Sequence, residues 1–330
     1  MLRRRIGQWV IGVCALWLGL CALPAAAETP FAGGTLIKLT DFPSQQVIAR
    51  QVSIWLPPGY ATGNRRYRVI YMHDGQNLFE PADAYGGKTW GIAETLLATG
   101  REAIVVGIWN TRLRGREYFP QKVFDRLPPA QQENATTTHG GTPLSDAYLR
   151  FIVTELKPYV DRTWRTLPGP ADTAMMGSSM GGLISLYAMA EYPQVFGQVA
   201  CLSVHWPLGD PRRGDPAAVS AAWAATLATS LWRPGTNRLY MDHGTLTLDS
   251  YYRPYSLKIE AVLEKRGWHR DQDWISRVFE GGEHNETSWR ARLDVPVKFL
   301  LPAQDLAARS GPGTWPGAAD YHRVPTMRTP

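Results

Sequence analysis

A serine hydroxyl becomes a useful nucleophile only when a base takes its proton and a neighbouring group steadies the charge that follows. The stretch Gly177-Ser178-Ser179-Met180-Gly181 has the pattern Gly-x-Ser-x-Gly, which places such a serine on a sharp strand-to-helix turn. Its surroundings suit that turn. Residues 173–176 form a short apolar run expected to be a buried strand, and residues 183–189 are apolar enough for a helix packed on a sheet. Small residues must flank so tight a turn, which accounts for Gly177, Gly181 and Gly182. The helix start after Ser179 would aim main-chain N–H groups at a developing oxyanion.

Ser179 needs a base, and histidine has an ordinary pKa near neutrality. Among the seven histidines, those just past expected strand ends are His73, His205, His243 and His284, and strand ends are where sites gather in parallel sheets. In α/β hydrolases the order along the chain is serine, acid, histidine. That order excludes His73 and favours His284, in Phe279-Glu280-Gly281-Gly282-Glu283-His284. The acid should lie between, as Asp242 or Asp249. Asp249 is preferred, because Asp242 is close enough to a strand end to bond the backbone or His243. Its task would be to orient His284 and stabilise the imidazolium. For the oxyanion, the expected donors are the main-chain N–H groups of Met180 and of Gln76, the latter in the loop His73-Asp74-Gly75-Gln76.

Three separated stretches carry a resemblance. Tyr71-Met72-His73-Asp74-Gly75-Gln76-Asn77-Leu78-Phe79, Gly177 to Gly182, and Gly281 to His284 with Trp289 resemble the putative-esterase family of α/β hydrolases. That family includes enterochelin esterases, feruloyl and acetyl-xylan esterases, S-formylglutathione hydrolase and mycolyltransferases. The resemblance runs from about Ile48 to Leu300. It implies a nucleophile at Ser179, a base at His284 and oxyanion donors near Gln76 and Met180. It leaves the acid open, since some siderophore esterases of the family work with a serine–histidine pair alone.

The elements that must position these residues follow from the apolar patterning. Strands are expected at 35–39, 46–56, 67–72, 103–108, 198–204, 238–241 and 273–279, with the first two antiparallel at an edge. Helices are expected at 90–97, at 146–164 with Ser145 as its cap, at 217–231, at 255–265 and from about Asn285. Residues 109–143 read as a long polar loop. Alternation of strands and helices predicts an α/β-hydrolase fold, a mostly parallel central sheet with helices on both faces. It would form one catalytic domain at 34–302, followed by a Pro/Gly-rich disordered tail at 303–330.

The 330-residue chain opens with Arg3-Arg4-Arg5, an apolar stretch at 9–23 and Ala25-Ala26-Ala27. These features define a secretory signal peptide over residues 1–27, cleaved after Ala27, and a periplasmic or secreted product. No stable membrane span would remain. Cleavage lowers the formal charge from +6 to +3 by removing three arginines, which is not the footprint of a nucleic-acid binder. It also leaves Cys201 as the one cysteine, so no internal disulfide is expected.

The pattern shows no metal cluster and no nucleotide fingerprint, so the chain reads as a cofactor-free hydrolase with no metal. The expected partner is a small-molecule or carbohydrate ester. Arg112, Arg114 and Arg116 could clamp an anionic acyl group, while Trp109 and Trp206 could wall a phenolic or sugar ring. Asn134-Ala135-Thr136 also matches an N-glycosylation acceptor. The alternatives to hydrolysis are transfer of the acyl group to a sugar or lipid, and a catalytically silent binding protein on the same scaffold.

Overall fold

The apolar runs pair into one sheet in a computed structural model that describes residues 25–230 and 233–302. Among the described residues the strands are β1 (Ala25–Phe31), β2 (Gly34–Phe42), β3 (Arg50–Leu56), β4 (Val69–His73), β5 (Ile104–Ile108), β6 (Thr173–Ser178), β7 (Gln198–Leu202), β8 (Arg238–Gly244) and β9 (Trp274–Phe279). Their spatial order is β1-β2-β3-β5-β4-β6-β7-β8-β9. From β5 to β9 every neighbouring pair is parallel, and β1, β2 and β3 join antiparallel at the other end. The chain leaves β4 for β5 on one side, then returns to β6 on the other. Such a reversal opens a crevice at the carboxyl ends of the strands.

Parallel strands buried on both faces must be apolar on both, and here alternate residues feed two cores. Tyr71, Val106, Met175, Val199 and Met241 point to one face. There they meet the helical rod of α5 (Ser145–Phe151), a π-helical turn at Ile152–Leu156 and α6 (Lys157–Thr163), together with α7 (Met180–Glu191), α8 (Pro216–Ala228) and α9 (Arg253–Lys265). Ile70, Met72, Val105, Met176 and Tyr240 point to the other face, against α1 (Ile92–Ala98), α10 (Glu286–Ala291) and α11 (Asp294–Leu300). The fold is that of an α/β hydrolase.

Several expectations need correction. The segment read as a long polar loop folds into α2 (Arg114–Glu117), α3 (Gln121–Phe124) and α4 (Pro129–His139). α2 and α3 are four residues each, too short to show a period, although Tyr118, Phe119, Val123 and Phe124 reach the core. α4 buries only Asn134 and Ala135, and Asn134, only 1% exposed, gives and takes hydrogen bonds with the Asp210 main chain at 3.1 Å. That burial also removes Asn134 as a glycosylation acceptor. Ser145 is not a cap. It begins α5, and its hydroxyl instead accepts from Gln121 N at 2.9 Å. β8 runs on through Asp242 and His243, past the end expected at 241. The first described strand, β1, runs from Ala25 to Phe31 and includes Ala27, after which cleavage is expected. Residues 1–24 of the expected leader and the tail expected at 303–330 lie outside the described residues.

Candidate active site

β6 ends at Ser178 and α7 begins at Met180, which leaves Ser179 alone on the turn with φ 57° and ψ −122°. A non-glycine residue there carries backbone strain, and the surroundings enforce it. Ser179 N donates to Leu202 O at 2.9 Å, and Ser179 O accepts from His205 N at 3.2 Å. A Cβ on Gly177 would lie 2.7 Å from the Gly181 main chain, so only glycine lets the strand and helix approach this closely.

His284 lies in the loop between β9 and α10. That loop is stitched to the one after β8: Thr245 N and Leu246 N donate to Gly282 O, and His284 N donates to Thr247 Oγ1 at 2.8 Å. The His284 ring bridges two oxygens. Its Nε2 is 2.9 Å from Ser179 Oγ, and its Nδ1 is 2.6 Å from Asp249 Oδ1. Tyr252 and Trp289 meet the ring edge-on at 5.7 and 5.2 Å between centroids, which fixes its plane.

Asp249 is 1% exposed, on a 3-10 turn at Thr247–Tyr251. Burial alone would raise its carboxyl, but hydrogen bonds from His284, Ser203 and the Gly244 amide hold it below the ordinary value. Asp242 meets different partners. It pairs with Arg292 through both oxygens at 3.0 and 3.1 Å and accepts from Tyr240 OH at 2.8 Å.

Across the crevice, Gln76 lies on a 3-10 turn, Gly75–Asn77, just past β4. A Cβ on Gly75 would sit 2.5 Å from the Gly107 main chain, so this turn lies directly over β5. Met180 is the first residue of α7, where a helix leaves its N–H groups unbonded. The start of α7 touches the end of β4, since a Cβ on Gly181 would be 3.3 Å from His73 Cβ. Asp74, in a left-handed conformation, anchors the Gln76 turn. It accepts from Arg114 Nε and Nη2 at 2.7 and 2.8 Å and from Asn110 Nδ2 at 2.6 Å. Burial would raise the Asp74 carboxyl, but the Arg114 charge and these bonds bring it below the usual range.

The other three strand-end histidines meet framework partners. His73 bonds Tyr148 OH at 2.9 Å and His205 bonds Tyr252 OH at 2.8 Å; burial lowers each to about 3. His243 bonds the Gly244 carbonyl at 2.6 Å.

Of the five residues singled out for substrate contact, four meet other partners or solvent. Trp206 is 2% exposed and packs edge-on to Trp223 in the core. Trp109 donates to Ser53 Oγ at 2.9 Å. Arg116 donates to Thr142 O at 2.7 Å, and Arg112 is exposed. Arg114 is the arginine of that cluster that reaches the crevice. Ser203, Arg292, Asp74 and Glu286 also border the site without having been read from the sequence. Glu286 accepts from Asn77 Nδ2 at 3.2 Å, and burial, with the Asp74 charge, raises its carboxyl. Only Asp74 carried a signal, as part of the His73-to-Phe79 motif.

Among the described residues no group of three or more His, Cys, Asp or Glu side chains could hold a metal ion. None of the described helices is long and apolar enough to cross a membrane.

Sheet order, reversal point and the turn at Ser179 define an α/β hydrolase. Within that class the chain belongs to the family described as "Putative esterase", which matches residues 48–300, and this makes it an esterase-type hydrolase. YbbA of Bacillus subtilis (strain 168), an uncharacterized protein, is 25% identical over 244 residues, 72% of this chain and 86% of that one. The siderophore triacetylfusarinine C esterase of Aspergillus fumigatus is 30% identical over 136 residues, 41% of this chain and 43% of that enzyme. Among solved structures, a ferulic acid esterase superposes with a TM-score of 0.56 at 18% identity, covering 81% of this chain and 98% of its own. The enterobactin esterase FES from Shigella flexneri superposes at 0.55 and 18% identity, over 84% and 61%. The structural likeness is one of fold.

Proposed function

We propose that this protein is an exported serine esterase that cleaves a carboxylic ester through an acyl-enzyme. One observation carries the reading: the unbroken hydrogen-bonded line from Ser179 Oγ through His284 to Asp249, at 2.9 and 2.6 Å. In this reading Ser179 attacks the ester carbonyl while His284 Nε2 accepts the hydroxyl proton. Asp249 holds Nδ1–H, keeps the ring in the tautomer with a free Nε2, and stabilises the imidazolium. The amides of Gln76 and Met180 receive the tetrahedral oxyanion. The imidazolium then protonates the departing alkoxide, and water, deprotonated by the same ring, releases the acid.

Ferulate and siderophore esters, named by the relatives, head the substrate screen. Export rests on the leader at 1–27, and the amino-terminal sequence of the mature protein tests it. The chemistry is tested with a fluorophosphonate probe and p-nitrophenyl acetate. Wild type should be labelled at Ser179, and Ser179→Ala should lose both labelling and turnover while remaining folded. Turnover at the wild-type rate in Ser179→Ala would remove the assignment. Added alcohols that trap the acyl group faster than water would turn the reading toward acyl transfer.

A further inference from the structure

We propose that Ser203 is a positioning residue for the acid of this site, aiming the Asp249 carboxylate at His284 by means of a hydroxyl whose single proton has one acceptor available. The proposal rests on the serine-esterase reading above and adds the part that keeps Asp249 from pairing elsewhere.

Ser203 follows β7 and is fully buried. A serine hydroxyl has one proton to give and two lone pairs to offer. Both lone pairs of Ser203 face donors: Trp289 Nε1 donates at 2.9 Å and Arg292 Nη2 at 2.8 Å. The proton is therefore left for Asp249 Oδ2, 2.6 Å away. The guanidinium polarises the hydroxyl, which strengthens the bond it gives. With Gly244 N also donating to Oδ2 at 2.5 Å, this oxygen is held by two donors, and Oδ1 is left facing His284 Nδ1.

The competitor is close by. Arg292 Nη2 lies 3.9 Å from Asp249 Oδ2, beyond hydrogen-bond distance, with the Ser203 hydroxyl bonded to both. A buried arginine and a buried carboxylate this close would otherwise pair directly, because a bidentate ion pair is the stronger arrangement. Two features hold them apart. Asp242 occupies Arg292 through Nε and Nη2. Asp242 Oδ1 also accepts from Ser203 N at 3.0 Å, pinning the serine in a left-handed conformation, φ 43°. The second buried aspartate thus keeps Arg292 and Ser203 where they are needed, and Ser203 transmits that arrangement to the first.

Ser203→Ala tests the proposal. We expect kcat to fall roughly 10- to 100-fold, the scale known for outer hydrogen-bonding partners that orient metal ligands, with KM unchanged. The far-downfield proton resonance of His284 Nδ1–H in the substrate-free protein should shift upfield or broaden. Should Ser203→Ala fail to fold, Ser203→Gly, which suits φ 43°, carries the same test. Trp289→Phe, which frees one lone pair while keeping an aromatic ring beside His284, should give a smaller loss in the same direction. A folded Ser203 variant with wild-type kcat and an unmoved resonance would overturn the proposal. The resonance is read without substrate, so it reports on Ser203 separately from the esterase reading. An unmoved resonance removes the role of Ser203, whereas an unlabelled Ser179 in wild type removes the esterase reading.

Discussion

Arg114 grips Asp74 through two parallel hydrogen bonds, Nε to Oδ1 at 2.7 Å and Nη2 to Oδ2 at 2.8 Å, while its guanidinium rests over the Tyr118 ring, 5.0 Å from the centroid. Asp74 is the left-handed residue that starts the turn carrying Gln76. Arg114 thereby ties a helix of the polar segment to the loop assigned to the oxyanion. Removing one partner of a fully buried pair costs about 3–5 kcal/mol. Arg114 keeps 31% of its side chain exposed, so Arg114→Ala should cost less, about 2 kcal/mol. Denaturant unfolding measures that loss. Steady-state kinetics on the same variant should show kcat falling more than KM rises, because the donor turn loosens. A variant of unaltered stability would deny the pair its structural part.

Ser179 holds a backbone conformation, φ 57° and ψ −122°, that costs a side-chain-bearing residue about 1–3 kcal/mol. Ser179→Gly should therefore melt at a higher temperature than wild type while losing all turnover. The gain should be about 1 kcal/mol, since glycine also frees the unfolded chain. Calorimetry of the two proteins side by side checks it. A lower melting temperature would mean that the hydroxyl stabilises the native state by more than the strain costs.

The two aspartates should separate cleanly by substitution. Asp249 Oδ2 accepts from the Ser203 hydroxyl and the Gly244 amide, so the amide group of Asn in Asp249→Asn is driven to face His284. It would then donate to Nδ1 and leave Nε2 carrying the proton, the tautomer that cannot deprotonate Ser179. The corresponding change in serine proteases costs about 10⁴-fold in kcat, and a loss of that order is expected. Asp242→Asn instead leaves Arg292 with Asp249 as its nearest anion, 3.9 Å from Nη2, and should cost about 3–5 kcal/mol of stability, with kcat falling by no more than the roughly 10- to 100-fold expected of the Ser203 variants. If Asp249→Asn retained most of its turnover, the site would be working as a serine–histidine pair.

Stability should fall in mild acid. His73 and His205 are buried neutral, with burial lowering both to about 3 from an ordinary 6.5. In the window between those values the unfolded chain binds protons that the folded chain refuses, so stability is full above about pH 6.5 and declines as pH falls toward 3. At pH 5 the loss is on the order of 2 kcal/mol for each histidine. Denaturant midpoints at pH 7.5 and pH 5 would reveal it. Equal midpoints would show that one or both rings accept a proton without penalty.

Much of this architecture is written locally. Residues 173–189 specify a strand, a turn and a helix through their own apolarity and three glycines, while chain order excludes His73 and the position after the last strand favours His284 among the rest. The sequence favoured Asp249 over Asp242 only by its distance from the strand end, and nothing in it pointed Asp242 to Arg292. Asp242 and Asp249 are seven residues apart and chemically alike. One meets Arg292 and the other His284 only because β7, β8 and the loop after β9 converge. The same holds for the arginines at 112, 114 and 116, of which one reaches Asp74. α2 and α3 escaped notice because four residues are too few to show a period, and α4 because it buries only Asn134 and Ala135. Periodicity reports the face an element turns to the core. The pairing of buried charges depends on tertiary distances that no local pattern encodes.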